Sequence, residues 1–318
     1  MERRNELQDG HMGRRSFFDT AGRFAAGALT LGTFSETIRA NDAGAQQAAQ
    51  RAPSMPHPVS VPHPASAKVL DQLRTRYMFQ ISCDVPTIDQ GLTVAGAALA
   101  GGVNIVEMGT PLLKNQGVAN VVPAFRKKFP DALLLADMKT MDGGAFEARA
   151  VYQGGGNIFD LLALAGVDTV KQVCGVRDEF RRTDPELARL VFTDIMVPHQ
   201  GPGEHAGEVA LRMIEAGVDG IGVHLQADAR RADPKLIENH YLDDMTRAIF
   251  DRVKGAAPVQ MVGGLTAPQA KGLAQAGLRC FVISGNLGQP DGRVRLDLPP
   301  DQIQRYVADF ITEVSAVK

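Results

Sequence analysis

From Tyr77 onward the chain alternates short apolar runs with amphipathic stretches. The runs are Met78–Cys83, Val103–Met108, Leu133–Met138, Ile158–Leu164, Leu190–Val197, Gly220–Leu225, Val259–Val262 and Phe281–Ser284. Several are nearly continuous in apolar residues, the pattern of strands covered on both faces. The intervening stretches carry a helical period. Val118 to Phe129 sets Val118, Val121, Val122 and Phe125 on one face and turns Arg126, Lys127 and Lys128 to water. Glu208 to Ala216 and Met245 to Val253 repeat the arrangement. Eight strand–helix units in about 240 residues predict a (β/α)8 TIM barrel over residues 70–318. A doubly wound sheet would also alternate strands and helices, but it requires no count of eight. Barrel chemistry gathers at the C-terminal ends of the strands, so those ends are where functional groups are expected.

The first sixty-odd residues break this pattern. Arg14-Arg15 precedes Phe17-Phe18, a weakly apolar run from Phe24 to Phe34, and the small-x-small triplet Ala43-Gly44-Ala45. That order predicts a twin-arginine secretory signal over residues 1–45, export to the periplasm, and membrane contact only during export. The apolar run is too short to span a bilayer. If these residues are instead a basic amphipathic helix, the protein stays in the cytoplasm. Residues 46–69 are rich in Ala, Pro, Ser and His up to Ala67 and predict a disordered linker.

Composition narrows the class of partner. The formal net charge of −2 gives no basic surplus for nucleic acid, and the absence of Trp argues against the usual aromatic carbohydrate platform. Three cysteines, Cys83, Cys174 and Cys280, are too few and too odd in number for a disulfide framework and predict buried thiols. A Cys83–Cys280 bridge would require the first and last strands to bring those two residues together.

Charged residues collect at the expected strand tips. The first strand ends in Asp84, the second carries Glu107 in Val-Glu-Met-Gly-Thr-Pro, and the fifth carries Asp194. The sixth ends in His224, the seventh in Gly263-Gly264 and the eighth in Ser284-Gly285-Asn286. The third is the richest: Asp137-Met138-Lys139-Thr140-Met141-Asp142 alternates anion, cation and anion. Residues two apart on a strand share a face, which would aim Asp137 and Lys139 together. An ammonium among carboxylates keeps its charge and can stabilise an oxyanion. Glu107 and Asp137, on adjacent strands, offer hard oxygens to a cation such as Mg²⁺. Glycine-rich turns after the last two strands suit a phosphate cradle. His199 and His205, on a Pro- and Gly-rich loop, match no metal-binding helix face and predict a plain loop.

Asp137-x-Lys139-x-x-Asp142, with Asp84 and the acid of VEMGTP, resembles the orotidine 5′-phosphate decarboxylase suprafamily. Within it, VEMGTPLLKNQG and LLLADMKTMDGG resemble 3-hexulose-6-phosphate synthase, and next 3-keto-L-gulonate-6-phosphate decarboxylase. The resemblance runs from about Tyr77 to Leu287 and is closest over the first three strands. It implies a homodimer with shared active sites, Asp142 reaching into the partner's site. It further implies Mg²⁺ on Glu107 and Asp137, Lys139 stabilising an enediolate, His224 moving a proton, and Asp84 contacting substrate hydroxyls and Lys139. The turns at Gly263-Gly264 and Gly285-Asn286 would hold a phosphate, with Asp194 in the polar floor of the substrate site. The implied reaction is a reversible aldol addition of formaldehyde to ribulose 5-phosphate, and the implied ligand is a sugar phosphate.

Two departures qualify this. Asn286 stands where the decarboxylase has a phosphate-binding arginine, and Leu225-Gln226-Ala227-Asp228 follows His224 in place of a small residue and a glycine. Arg293 and Arg295, in the added segment 288–301, are candidate charges beside the turn but are expected to be solvated. Decarboxylation or epimerisation of another keto-sugar through the same enediolate, and an exported sugar-binding barrel without turnover, remain alternatives. An exported enzyme would rarely meet sugar phosphates, so the signal and the substrate expectation pull against each other.

Overall fold

The computed structural model describes residues 63–200, 203–233, 235–238 and 241–317. The signal peptide and most of the linker expected from the sequence lie outside the described residues. Among the described residues no helix is long and apolar enough to cross a membrane.

Eight parallel strands close into a barrel in chain order. They are β1 (Met78–Cys83), β2 (Ile105–Met108), β3 (Leu133–Thr140), β4 (Ile158–Leu162), β5 (Leu190–Val197), β6 (Gly220–Leu225), β7 (Val259–Val262) and β8 (Cys280–Ile283). Helix α1 (Pro64–Thr75) precedes the barrel, and α2 (Ile88–Ala100) follows β1. Two helices, α3 (Thr110–Gln116) and α4 (Val118–Lys128), join β2 to β3, and α5 (Gly144–Gln153) joins β3 to β4. A short 3₁₀ turn and α6 (Gly166–Thr183) follow β4, and α7 (Gly203–Glu215) follows β5. Three helices come between β6 and β7: α8 (Ala227–Ala232), α9 (Lys235–Glu238) and α10 (Tyr241–Val253). Helices α11 (Ala267–Gln275) and α12 (Pro300–Ser315) complete the ring.

The alternation of side chains across each strand sorts the molecule into two apolar regions. Phe79, Ile81, Val106, Met108, Leu134, Ala136, Ile221 and Val223 point outward and pack beneath the helices. Met78, Ile105, Leu135, Ile158, Phe192 and Cys280 face one another inside the barrel, closed from below by Val69 and Leu73 of α1. Two residues further along β1 to β5 the interior becomes polar. Gln80 follows Met78, Glu107 follows Ile105, Asp137 follows Leu135, Asp160 follows Ile158, and Asp194 follows Phe192, all five buried. The apolar floor and the polar layer above it are successive rungs of one period-two pattern.

Helix α1 corrects the linker expectation at its C-terminal end, since residues 64–69 are helical. His63 caps the helix by accepting from the Ser66 amide at 3.1 Å. The Ser66 hydroxyl donates to the Arg189 carbonyl at 3.0 Å and accepts from the Arg189 amide at 2.9 Å. Composition near a proline suggested a spacer. The helix exists because the barrel floor needs an apolar cover, which Leu73 supplies at 1% exposure.

All three cysteines are free and buried. β1 and β8 are neighbours, but Cys280 pairs with Met78, at the opposite end of β1 from Cys83. The bridge weighed from the sequence is therefore excluded by register.

Candidate active site

A cavity of about 470 Å³ opens at the C-terminal end of the barrel. Its walls include Asp84, Glu107, Asp137, Lys139 and His224 on one side, and Gly263, Gly264, Gly285 and Asn286 on the other. Nine of the eleven residues singled out from the sequence thus line one space. Asp194 and Asp142 do not.

Lys139 owes its position to an irregularity in β3. Asp137 pairs with Asp160 and Thr140 with Leu161, so the strand bulges between them. Lys139 sits at φ 47°, in the left-handed region that side chains disfavour. Simple alternation is thus not what brings Asp137 and Lys139 together. The bulge re-aims the lysine, which bends back to place Nζ 2.6 and 2.7 Å from the two Asp137 oxygens. Bulges serve this purpose at many barrel rims. The Lys139 ammonium also reaches Asp194 Oδ2 at 3.4 Å. Burial works against its charge but is outweighed by Asp137, Asp194 and Asp160, which hold the ammonium well above the usual lysine range.

Asp194 is the hub of this cluster. Its Oδ2 lies 2.6 Å from His224 Nδ1 as well as facing Lys139. Gly222 lies opposite Asp194 across the β5–β6 ladder, and a Cβ there would stand 2.0 Å from Asp194 Oδ1. Only glycine leaves room for the carboxylate. Burial alone would raise the Asp194 pKa, yet the Lys139 and His224 charges and hydrogen bonds prevail and hold it at about 2. Asp194 therefore contacts the lysine and the histidine beneath the cavity without lining the space itself.

Asp160 was missed from the sequence. It lies buried at 4% exposure in a run that otherwise reads as pure strand core. Ligand atoms of Asp137, Asp160 and Asp194 fall within 4.8 Å of one another. Burial and the Asp194 and Asp137 charges push the Asp160 carboxyl well above the ordinary range. The only available sign was an acid two positions after Ile158, on the face that Asp137 occupies in the neighbouring strand.

Glu107 is fixed from β1. Gln80 Nε2 donates to its Oε2 at 2.5 Å and Ser82 Oγ to its Oε1 at 2.7 Å. Burial and the charges of Asp137 and Asp84 raise its pKa well above normal. The Thr110 hydroxyl lies 2.8 Å from Asp137 Oδ2. Ser82 Oγ lies 3.0 Å from Asp84 Oδ2. Asp84 keeps one edge in solvent, yet the surrounding protein walls it in enough to raise its carboxyl, and Asp137 adds to the rise.

The donor set fits a divalent cation at Glu107 and Asp137. Both present hard oxygen ligands to the cavity, and Asp137 burdens Glu107 with like charge that a cation would relieve. Asp137 would share its oxygens with the Lys139 ammonium both in this pair and in its group with Asp160 and Asp194.

On the opposite wall, Asn286 is buried and its Nδ2 donates to the carbonyls of Gly264, Leu265 and Gln289 at 3.1, 3.3 and 3.0 Å. It ties the two glycine turns together. Arg295 grips Asp291 with both terminal nitrogens, at 2.8 and 2.6 Å, and Arg293 faces the same carboxylate, so neither stands free beside the turn. His199 is exposed on the turn after β5, whereas His205 is exposed in the first turn of α7 rather than on a loop, and neither lines the cavity. Asp142 is exposed on the β3–α5 turn, where its Oδ1 accepts from the Gly143 amide at 2.7 Å.

Known proteins resemble this chain over part of its length. The chain is 37% identical over 147 residues to a 3-hexulose-6-phosphate synthase of Methylomonas aminofaciens, a match covering 46% of this chain and 64% of that protein. It is 36% identical over 91 residues to the synthase of Mycobacterium gastri, covering 29% and 43%. It therefore spans less than two thirds of either relative. The Salmonella typhimurium 3-hexulose-6-phosphate synthase structure superposes with a TM-score of 0.59 at 22% identity, covering 74% of this chain and 99% of that one. The 3-keto-L-gulonate-6-phosphate decarboxylase structure from Vibrio cholerae gives 0.54 at 19% identity, covering 76% and 99%. Both share the barrel fold. The family model for orotidine 5′-phosphate decarboxylase / HUMPS matches residues 77–243, the span from β1 into α10 that carries every charged residue of the cluster, and to that family the chain belongs.

Proposed function

We propose that the protein is a Mg²⁺-dependent aldehyde-lyase of the 3-hexulose-6-phosphate synthase type, joining formaldehyde reversibly to ribulose 5-phosphate through an enediolate. The observation that carries the reading is the Asp137–Lys139–Asp194–His224 chain, a permanent ammonium and an imidazole bound to one carboxylate at the cavity wall. Glu107 and Asp137 would hold Mg²⁺, which supplies electrostatic stabilisation to adjacent oxyanions when bound. Lys139, kept cationic by three carboxylates, stabilises negative charge on the reacting carbonyl oxygen. Asp194 orients the His224 ring by holding Nδ1, which leaves Nε2 to move a proton. Asp84, at the open edge, is placed for substrate hydroxyls.

Two features support a shared dimeric site. Asp142 points outside its own cavity, and Met141 and Phe146 beside it are 52% and 83% exposed. A surface apolar pair flanking a functional acid suits a subunit interface.

The decisive measurement is formaldehyde release from hexulose 6-phosphate with and without Mg²⁺. Metal-dependent release supports the reading. Release of CO₂ from a keto-acid sugar phosphate, with no formaldehyde, would move the assignment to decarboxylation. A protein that binds sugar phosphates without any turnover would be a binding barrel.

A further inference from the structure

The glycine turns after β7 and β8 offer backbone to an anion but no free charge. Asn286 has committed its amide nitrogen to three carbonyls, and Arg293 and Arg295 are turned to Asp291. Two guanidinium groups line the same cavity; Arg231 pairs with Asp228, and among the described residues the other has no ion-pair partner. Arg230, on α8, is half-buried and lines the cavity with Gly263, Gly264, Gly285 and Asn286. Its one polar contact among the described residues is a long donation from Nη1 to the Gly263 carbonyl at 3.4 Å, and none of them forms an ion pair with it. The guanidinium presses on the turn so closely that a Cβ at Gly264, where φ is +77°, would lie 2.1 Å from Nη1. Burial and the neighbouring Arg231 both lower the Arg230 pKa, as expected of a cation that lacks a counter-ion.

We propose that Arg230 is the charge receptor of a phosphomonoester subsite, delivered by the helix after β6 onto the turns after β7 and β8. A planar fork over exposed backbone suits a phosphate dianion, which it can grip with two parallel hydrogen bonds. The ligand class is then a phosphorylated small molecule, its phosphate under Arg230 and its reactive carbons toward Lys139 in the same cavity. The inference deepens the lyase reading by naming the residue that selects the phosphate, and it rests on that reading for the ligand's carbon skeleton alone.

The test measures binding of ribulose 5-phosphate, ribulose and inorganic phosphate to wild type, Arg230→Ala, Arg230→Lys and Arg293→Ala by calorimetry, with melting curves to verify folding. Wild type is expected to prefer ribulose 5-phosphate to ribulose. Arg230→Ala should weaken ribulose 5-phosphate about tenfold to a hundredfold, the range for a lost charge-assisted hydrogen bond, and leave ribulose unchanged. Arg230→Lys should recover part of the loss, keeping the charge without the fork, and should decide the matter if the alanine variant does not fold. Arg293→Ala should bind as wild type does. The proposal is overturned if wild type shows no preference for the phosphorylated sugar, if both Arg230 variants bind it normally, or if Arg293→Ala causes the loss. Phosphate binding that depends on Arg230 without formaldehyde release would uphold the subsite and reject the lyase. Formaldehyde release with unchanged KM in the Arg230 variants would do the reverse.

Discussion

Lys139 and Asp160 set the electrostatics of the site from opposite directions. Lys139 compensates three buried or half-buried carboxylates at once. Lys139→Ala should therefore reduce kcat by about a hundredfold to a thousandfold, the cost of one well-placed charge stabiliser, with a smaller change in substrate affinity. Its stability should fall too, because Asp137 and Asp194 lose their cation, so turnover must be compared below the variant's melting temperature. Asp160 acts through pH. Its folded pKa lies above the unfolded value, so its contribution is fully present below the unfolded pKa of about 3.9 and is lost as pH rises through the folded pKa. Asp160→Asn should remove that loss, and its melting temperature should decline less than wild type's between acid and neutral pH. An unchanged pH profile would show that Asp160 is not the strained acid described. At this scale the sequence revealed the acids that end their strands. Asp160 stayed hidden because a single acid inside an apolar run cannot be told from a strand-core interruption until the neighbouring strands are set beside it.

At the scale of elements, α1 and β3 show local pattern giving way to context. α1 forms on the barrel floor, where Leu73 joins Met78, Ile105 and Phe192 in one apolar cluster. Leu73→Ala should cost about 2–5 kcal/mol, the range for a buried leucine truncated to alanine. Urea denaturation would measure it, and a loss under 1 kcal/mol would mean that α1 merely rests on the barrel. The strands themselves were legible: four of the eight apolar runs, those of β1, β5, β6 and β7, coincide with the observed bounds. The bulge in β3 was not, because it arises from pairing with β4 rather than from the residues of β3 alone. The i, i+2 argument thus paired the right two residues through the wrong geometry.

For the whole molecule, the proposed dimer can be tested through the division of the site between subunits. Phe146→Glu places a charge on an 83% exposed aromatic and should shift sedimentation from dimer to monomer, with loss of turnover. Mixing Lys139→Ala with Asp142→Ala protein should restore activity that neither has alone. In the mixed dimer one site receives an intact lysine from one chain and an intact aspartate from the other. No recovery after confirmed subunit exchange would place Asp142 outside the partner's site.

The period-two and helical patterns, read along the chain, were enough to determine an eight-unit barrel and the end of it that carries the chemistry. Both follow from local rules, namely which side chains share a face and where parallel strands stop. Tertiary structure alone decided that Asp194 serves Lys139 and His224, that Asp160 joins them, and that Arg230 reaches the glycine turns without the acidic partner that Arg293 and Arg295 have in Asp291. Those relations join residues as distant as Asp137 and Asp194, or Arg230 and Gly264. They depend on barrel register and on which charge already has a partner, and neither quantity is written in any single stretch of sequence.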